Sequence, residues 1–201
     1  MKRISEYKVI LGSASEGRRE VFKKFFKDFT TMPSYIDEER EAEKLGDYKN
    51  NPIILTMFLS YKKNLEIRSR LATSDKFILI TFDTVVVHQG EIKFKPKNKE
   101  IARTWFYSYR NDFQEIVTSY ALYVSDIDVT VNDFDISVVY LKNIPDEEIE
   151  RYIQQNPVEA WSGGIAIERT ENFFEIVEGV VDSIIGAPMK KIIDQLNLLI
   201  S

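Results

Sequence analysis

The chain has 201 residues, 44% of them hydrophobic and 12% aromatic, enough to bury a sizeable core in one domain or in two small lobes without disulfide staples. It has no cysteine and a single histidine, His88, which excludes thiolate nucleophiles, zinc–thiolate sites and multi-histidine metal centres and fits a reducing, cytoplasmic location. A net charge of −5 argues against a nucleic-acid polymer as the partner, and no run reaches the ~18 apolar residues of a membrane span.

Met1-Lys2-Arg3 passes directly into Ile4, Ser5 and Glu6, without the apolar stretch of a secretory leader. Tyr7-Lys8-Val9-Ile10-Leu11 is short, apolar and β-branched and stops at Gly12, the pattern of a buried strand. Gly12 to Ser15 is a turn, and Ser15 is a good N-cap. From Glu16, the stripe of Val21, Phe22, Phe25 and Phe26 predicts a helix. Phe29 to Tyr35 reads as a second extended piece broken by Pro33, and the acidic run Ile36 to Glu43 follows. Pro52 opens a second helix.

Phe77 to Phe82 predicts a strand that continues through Asp83-Thr84 into Val85-Val86-Val87. His88 to Glu91 reads as a hairpin turn into Ile92-Lys93-Phe94. A helix over Lys99 to Tyr109 comes next. Strands over Ile116 to Val124 and Phe134 to Leu141 are separated by a polar turn region marked by Asp126, Asp128, Asn132 and Asp133. Pro145 to Gln154 reads as a short acidic helix, Gly163 to Ile167 as a strand in which glycine permits a close approach, and Ile184-Ile185 as a strand ending at the Gly186 turn. Met189 to Ile200 reads as the closing helix. Strands mixed with helices, hairpins among them, indicate an α/β fold: a mixed, twisted sheet flanked by helices.

Three places in this order can carry chemistry. The turn from Gly12 to Arg18 offers the free N–H groups of a helix N-terminus, two serine hydroxyls (Ser13, Ser15) and the guanidinium of Arg18, a set suited to phosphate; its plain alternative is an ordinary helix cap. Asp83 lies inside an apolar run, where an ionised carboxylate is costly unless it is paired or sits in a site; its alternative is a turn or bulge at a sheet edge. Lys95 follows the hairpin among Lys93, Lys97 and Lys99, and Lys63 lies in the second helix; both also fit solvated faces. Asp37, Glu38, Glu39 and Glu41 read alone as a solvated acidic stretch, and His88 as a turn residue. Taken in order, these segments make a phosphate cradle with cations, plus carboxylates able to hold a divalent metal.

The chain resembles the Maf family of nucleotide pyrophosphatases along nearly its whole length. Ile10-Leu11-Gly12-Ser13-Ala14-Ser15 through Arg18-Arg19-Glu20 is similar to the family's S-x-S-x-x-R opening. Tyr35-Ile36-Asp37-Glu38 resembles its aspartate–glutamate segment, and Leu59-Ser60-Tyr61-Lys62-Lys63 the helix whose lysine falls on Lys63. Asp83-Thr84-Val85-Val86 is similar to its D-T-V-V strand, Lys95-Pro96 to the lysine–proline after the hairpin, and Glu178-Gly179 with Ile184-Ile185-Gly186-Ala187-Pro188 to its closing stretch.

The resemblance implies one domain over residues 1–201, with two lobes around a central cleft and an architecture related to inosine triphosphate pyrophosphatases. It implies hydrolysis of a nucleoside triphosphate, pyrimidine or modified, to the monophosphate and pyrophosphate in a house-cleaning role. Under that reading Ser13, Ser15 and Arg18 bind phosphate, Lys63 and Lys95 stabilise leaving charge, Glu38 and Asp83 hold Mg²⁺ (or Mn²⁺ or Co²⁺), and Asp83 is the catalytic base. It leaves a homodimer open. Two departures stand out. Gly17 sits where the family often has a first arginine, and Glu159 to Ala166 retains little of the D-K-A-G-x-Y-G-I-Q pattern, whose glutamine position falls at Ala166 or Ile167. The second departure motivates the alternative of a catalytically weakened or inactive nucleotide-binding or regulatory protein.

Overall fold

The computed structural model describes residues 4–71, 76–170 and 172–200; Met1 to Arg3, where a leader would begin, lie outside the described residues. Its framework is a seven-stranded mixed sheet of order β2-β1-β3-β5-β6-β7, with β4 pairing β3 beside that path. The strands are β1 (Lys8–Gly12), β2 (Thr30–Thr31), β3 (Phe77–His88), β4 (Glu91–Lys93), β5 (Asp112–Val124), β6 (Val129–Leu141) and β7 (Phe174–Glu178). β1 runs parallel to β2 and β3, and every other pairing is antiparallel.

The helices are α1 (Glu16–Phe25), α2 (Glu38–Glu43), α3 (Pro52–Ser69), α4 (Lys99–Tyr109), α5 (Asp146–Gln155), α6 (Val181–Ile184) and α7 (Met189–Leu199). β3 is apolar on both faces because both are covered. Ile78, Ile80 and Phe82 pack with Val21 and Phe22 of α1 and with Ile192 and Leu196 of α7. Val85 and Val87 meet Leu55 and Leu59 of α3 on the other face. A separate core joins α4 and α5 through Phe106, Tyr109, Tyr152 and Ile153. Among the described residues, no helix is long and apolar enough to cross a membrane.

One mismatch of strand lengths creates the cleft. β1 stops where Gly12 lies opposite Thr81, and β4, running back from His88, ends with Lys93 opposite Val86. Among the described residues, 82–85 of β3 therefore face no strand on that edge. A ligand can approach the sheet there, beyond the carboxyl end of β1, as in other open α/β sheets.

Several expectations change. The extended piece after α1 pairs only at Thr30–Thr31, and the acidic run is a helix capped by Asp37, which accepts from the Arg40 N–H. Asn132 and Asp133 belong to β6 and not to a turn. Asn132 Nδ2 donates to Met57 O at 2.9 Å, and Asp133 Oδ2 accepts from Tyr120 and Gln195, so tertiary partners offset the weak strand preference of these residues. His88 ends β3 instead of forming the turn. Its ring meets Asp112 Oδ2 at 3.0 Å and stacks edge-on with Tyr109; the turn itself is Gln89-Gly90, both at positive φ. Ile184 and Ile185 close the short helix α6.

Gly163 to Ile167 is not a strand. It runs from one 3₁₀ turn, Ser162–Gly164, through Ile165 and Ala166 to the start of another, Ile167–Arg169, because its backbone bonds go to side chains and to a loop instead of a neighbouring strand. Tyr109 Oη donates to Gly163 O, Tyr152 Oη donates to Gly164 O and accepts from Ala166 N, and Gly163 N donates to Phe94 O. Gly163 sits at φ 63°, and a Cβ there would come within 2.8 Å of the Val86 side chain. Gly163→Ala is therefore expected to lose about 2–3 kcal/mol, from the left-handed backbone and the overpacking together. Chemical denaturation checks this, and a variant as stable as the parent would show that the wall yields.

Candidate functional site

The phosphate cradle follows from local sequence. Ser15 accepts from the Arg18 N–H and caps α1. Buried Ser13 accepts from the Ser15 N–H at 3.2 Å and from Arg18 Nη1 at 3.2 Å. Arg18 Nε donates to Gly186 O at 2.8 Å and Nη2 to Thr84 Oγ1 at 2.8 Å, with the guanidinium over the Phe82 ring. The side chain is thus an internal brace tying α1 to β3 and to the turn before α7.

Strand alternation divides the next residues. Thr84 points to the Arg18 side of the sheet, whereas Asp83 points to α3, where Lys63 lies. Lys63 Nζ donates to Asp83 Oδ1 at 2.6 Å and sits 2.9 Å from Glu38 Oε1. A third, longer contact runs to Phe82 O at 3.4 Å. Asp83 is 5% exposed, so it is a buried charge with a partner in the middle of an unbroken strand, and not a turn or bulge residue.

The three groups shift one another. Burial disfavours the Lys63 ammonium, but the charges of Asp83 and Glu38 outweigh burial and raise its pKa. Burial also pushes Glu38 up, yet Lys63, Lys95 and Arg18 together hold it below the usual glutamate value. Asp83 goes the opposite way. Burial, helped by the Glu38 charge, outweighs Lys63 and raises its carboxyl above the ordinary aspartate value. Burial lowers the Arg18 pKa against the pull of Asp83 and Glu38.

Ser13, Ser15, Arg18, Glu38, Lys63, Asp83 and Lys95 all line one cleft of about 1380 Å³. Lys95 is exposed on its rim. The opposite wall contains residues that sequence reasoning did not place at the site. Ser162 Oγ donates to Thr84 O at 2.6 Å, fastening the wall to β3. Trp161, Ile165, Glu168 and Arg169 also face the cleft. Their signal in the sequence was the cluster of glycines at 163 and 164, which marks a close approach without saying to what.

Among the described residues, no group of three or more Asp, Glu, His or Cys is arranged so that it could hold a metal ion. Glu38 and Asp83 are two oxygen donors already balanced by one ammonium, so they do not form a closed protein cage. Two carboxylates completed by oxygens from outside the protein do fit a hard divalent cation. Chemically, the arrangement offers anion-binding N–H and hydroxyl groups, fixed cations, and a buried carboxylate beside them.

The family model for Maf-like proteins matches residues 8–199. A 7-methyl-GTP pyrophosphatase of Dictyostelium discoideum is 32% identical over 199 residues, covering 94% of this chain and 97% of its own. A dTTP/UTP pyrophosphatase of Alkaliphilus metalliredigens is 31% identical over 92% of each chain. One of Caldicellulosiruptor saccharolyticus is 32% identical over 96% of this chain and 94% of its own.

Proposed function

The chain belongs to the Maf family, and from that membership we propose that it is a nucleoside triphosphate pyrophosphatase, cutting a pyrimidine or modified nucleotide between its α- and β-phosphates. The observation that carries this reading is Lys63 held between Glu38 and Asp83 at the open edge of β3, in the same cleft as the serine cradle. The relatives' names supply the two substrate classes, dTTP/UTP and 7-methyl-GTP. The lack of cysteine suits a cytoplasmic setting, and a nucleotide-cleansing role follows from the reaction.

In the proposed reaction, water attacks the α-phosphorus while Asp83 orients it and takes its proton. The α-phosphorus to bridging-oxygen bond breaks, and pyrophosphate leaves with the bonding electrons. Lys63 and Lys95 offset the charge building on that leaving group. Ser13 and the amides at the start of α1 hold the phosphates, and Arg18 adds a fixed field while bracing the cradle. A divalent cation (Mg²⁺, Mn²⁺ or Co²⁺), held by Glu38 and Asp83 together with the substrate, would supply Lewis-acid stabilisation of phosphate charge.

The test is a pyrophosphate-release screen over dTTP, UTP, 7-methyl-GTP and the common nucleotides with each metal. Turnover of at least one triphosphate, with one pyrophosphate per monophosphate, is expected, together with its loss in a chelator. Calorimetric binding of triphosphates without any turnover would replace this reading with that of a nucleotide-binding protein. The altered wall from Glu159 to Ala166 is the feature that would favour such an outcome.

A further inference from the structure

Arg18 and Arg169 are the two arginines on the described wall of the cleft, and they are held in opposite ways. Each guanidinium nitrogen of Arg18 donates to a protein acceptor; reaching for a ligand would leave those acceptors unpaired. Arg169 lies across the cleft on the Ile167–Arg169 turn. Its Nη2 donates to Glu16 Oε2 at 3.2 Å, and the two side chains are 52% and 75% exposed. Glu16 opens α1 beside the cap Ser15, so this ion pair spans the mouth from the cradle to the facing wall.

Gly17 allows that approach. A Cβ at this position would come within 2.6 Å of Glu168 Oε1 and 2.9 Å of Ile185 Cγ2, holding the Ile167–Arg169 turn away from α1. An ion pair this exposed is weak. The tail of a triphosphate offers a guanidinium fork several charges and paired oxygens, a better partner than one carboxylate.

We propose that Arg169 is a specificity residue of this site: it leaves Glu16 for the β- and γ-phosphates of a bound triphosphate and so senses the length of the phosphate chain. Glu16 competes for the same guanidinium and keeps the empty site from gripping smaller anions. This rests on the triphosphate reading above and adds the residue that selects for the tail.

Inorganic tripolyphosphate, which has neither base nor ribose, isolates the effect. Titrated calorimetrically, it is expected to bind Arg169→Gln roughly ten- to a hundredfold more weakly than wild type, the range for a lost charged hydrogen bond. Glu16→Gln should tighten binding by about two- to fivefold, with a smaller gain in the Arg169→Gln background because the competition is gone. With a turned-over nucleotide, Arg169→Gln should raise KM for the triphosphate and leave inhibition by the monophosphate product unchanged. Tripolyphosphate binding that is absent in wild type, or equal in wild type and Arg169→Gln, would overturn the proposal. So would weakening by Glu16→Gln as large as that by Arg169→Gln, since the pair would then only staple the turn. A chain that turns over no nucleotide sinks the pyrophosphatase reading instead, and the tripolyphosphate titration still decides the role of Arg169.

Discussion

Asp83→Asn is expected to lower kcat for pyrophosphate release by about 10²–10⁴-fold, the usual worth of a positioned general base, while the protein stays folded. Asparagine is nearly isosteric and keeps an oxygen for Lys63, which donates to Oδ1 at 2.6 Å. The rest of β3 keeps its pairing with β5, where residue 83 lies opposite Ser119. The change therefore removes charge and basicity and leaves the geometry in place. The measurement is steady-state kinetics beside a thermal melt. A folded variant with near-parental kcat would take Asp83 out of the proton-transfer role.

Lys63→Met should have the largest effect on stability. In the parent, Lys63 is 11% exposed in its side chain and faces Asp83, itself 7% exposed, and Glu38. Methionine fills much of the same volume but leaves a buried carboxylate without its counter-charge. Removing one partner of such a pair costs about 3–5 kcal/mol, with the lower end expected because Glu38 reaches solvent. For a chain of this size, that corresponds to a fall in Tm on the order of 10 °C. Activity should fall as well, since the cation facing the leaving group is gone. Adding Asp83→Asn to Lys63→Met should recover part of the lost stability, because the stranded charge is then removed. If the double variant is no more stable than Lys63→Met, the loss comes from packing and not from the unpaired carboxylate.

Residues close in the chain were read correctly where their own pattern decides the structure. The strand into Gly12, the cap at Ser15 and the apolar stripe of α1 need only neighbours a few positions apart, and they appear as β1, Ser15 and α1. Pro52 and the apolar content after it placed α3 in the same way. The reading failed where a distant partner supplies the bonds. Gly163 to Ile167 has the composition of a strand, but Tyr109 and Tyr152 take its backbone groups. Asn132 and Asp133 have the composition of a turn, but Met57, Tyr120 and Gln195 hold them in β6. Arg18, read from the sequence as a phosphate ligand, does lie in the cradle, and only the fold shows that its donors go to Ser13, Thr84 and Gly186.

By itself, the sequence determined the chemical inventory and its order: a serine turn with an arginine, an acidic segment, a helical lysine, an aspartate within a strand, and a lysine after a hairpin. Only the tertiary structure decided that β1 ends opposite Thr81 and bares the β3 edge beyond it, that one lysine joins two carboxylates there, and that Arg169 faces Glu16 across the opening. The physical reason is range. Secondary structure answers to contacts within one or two turns or along one strand, whereas Lys63 meets Asp83 across 20 positions, Arg169 meets Glu16 across 153 and Arg18 meets Gly186 across 168, distances that only the packed core brings together.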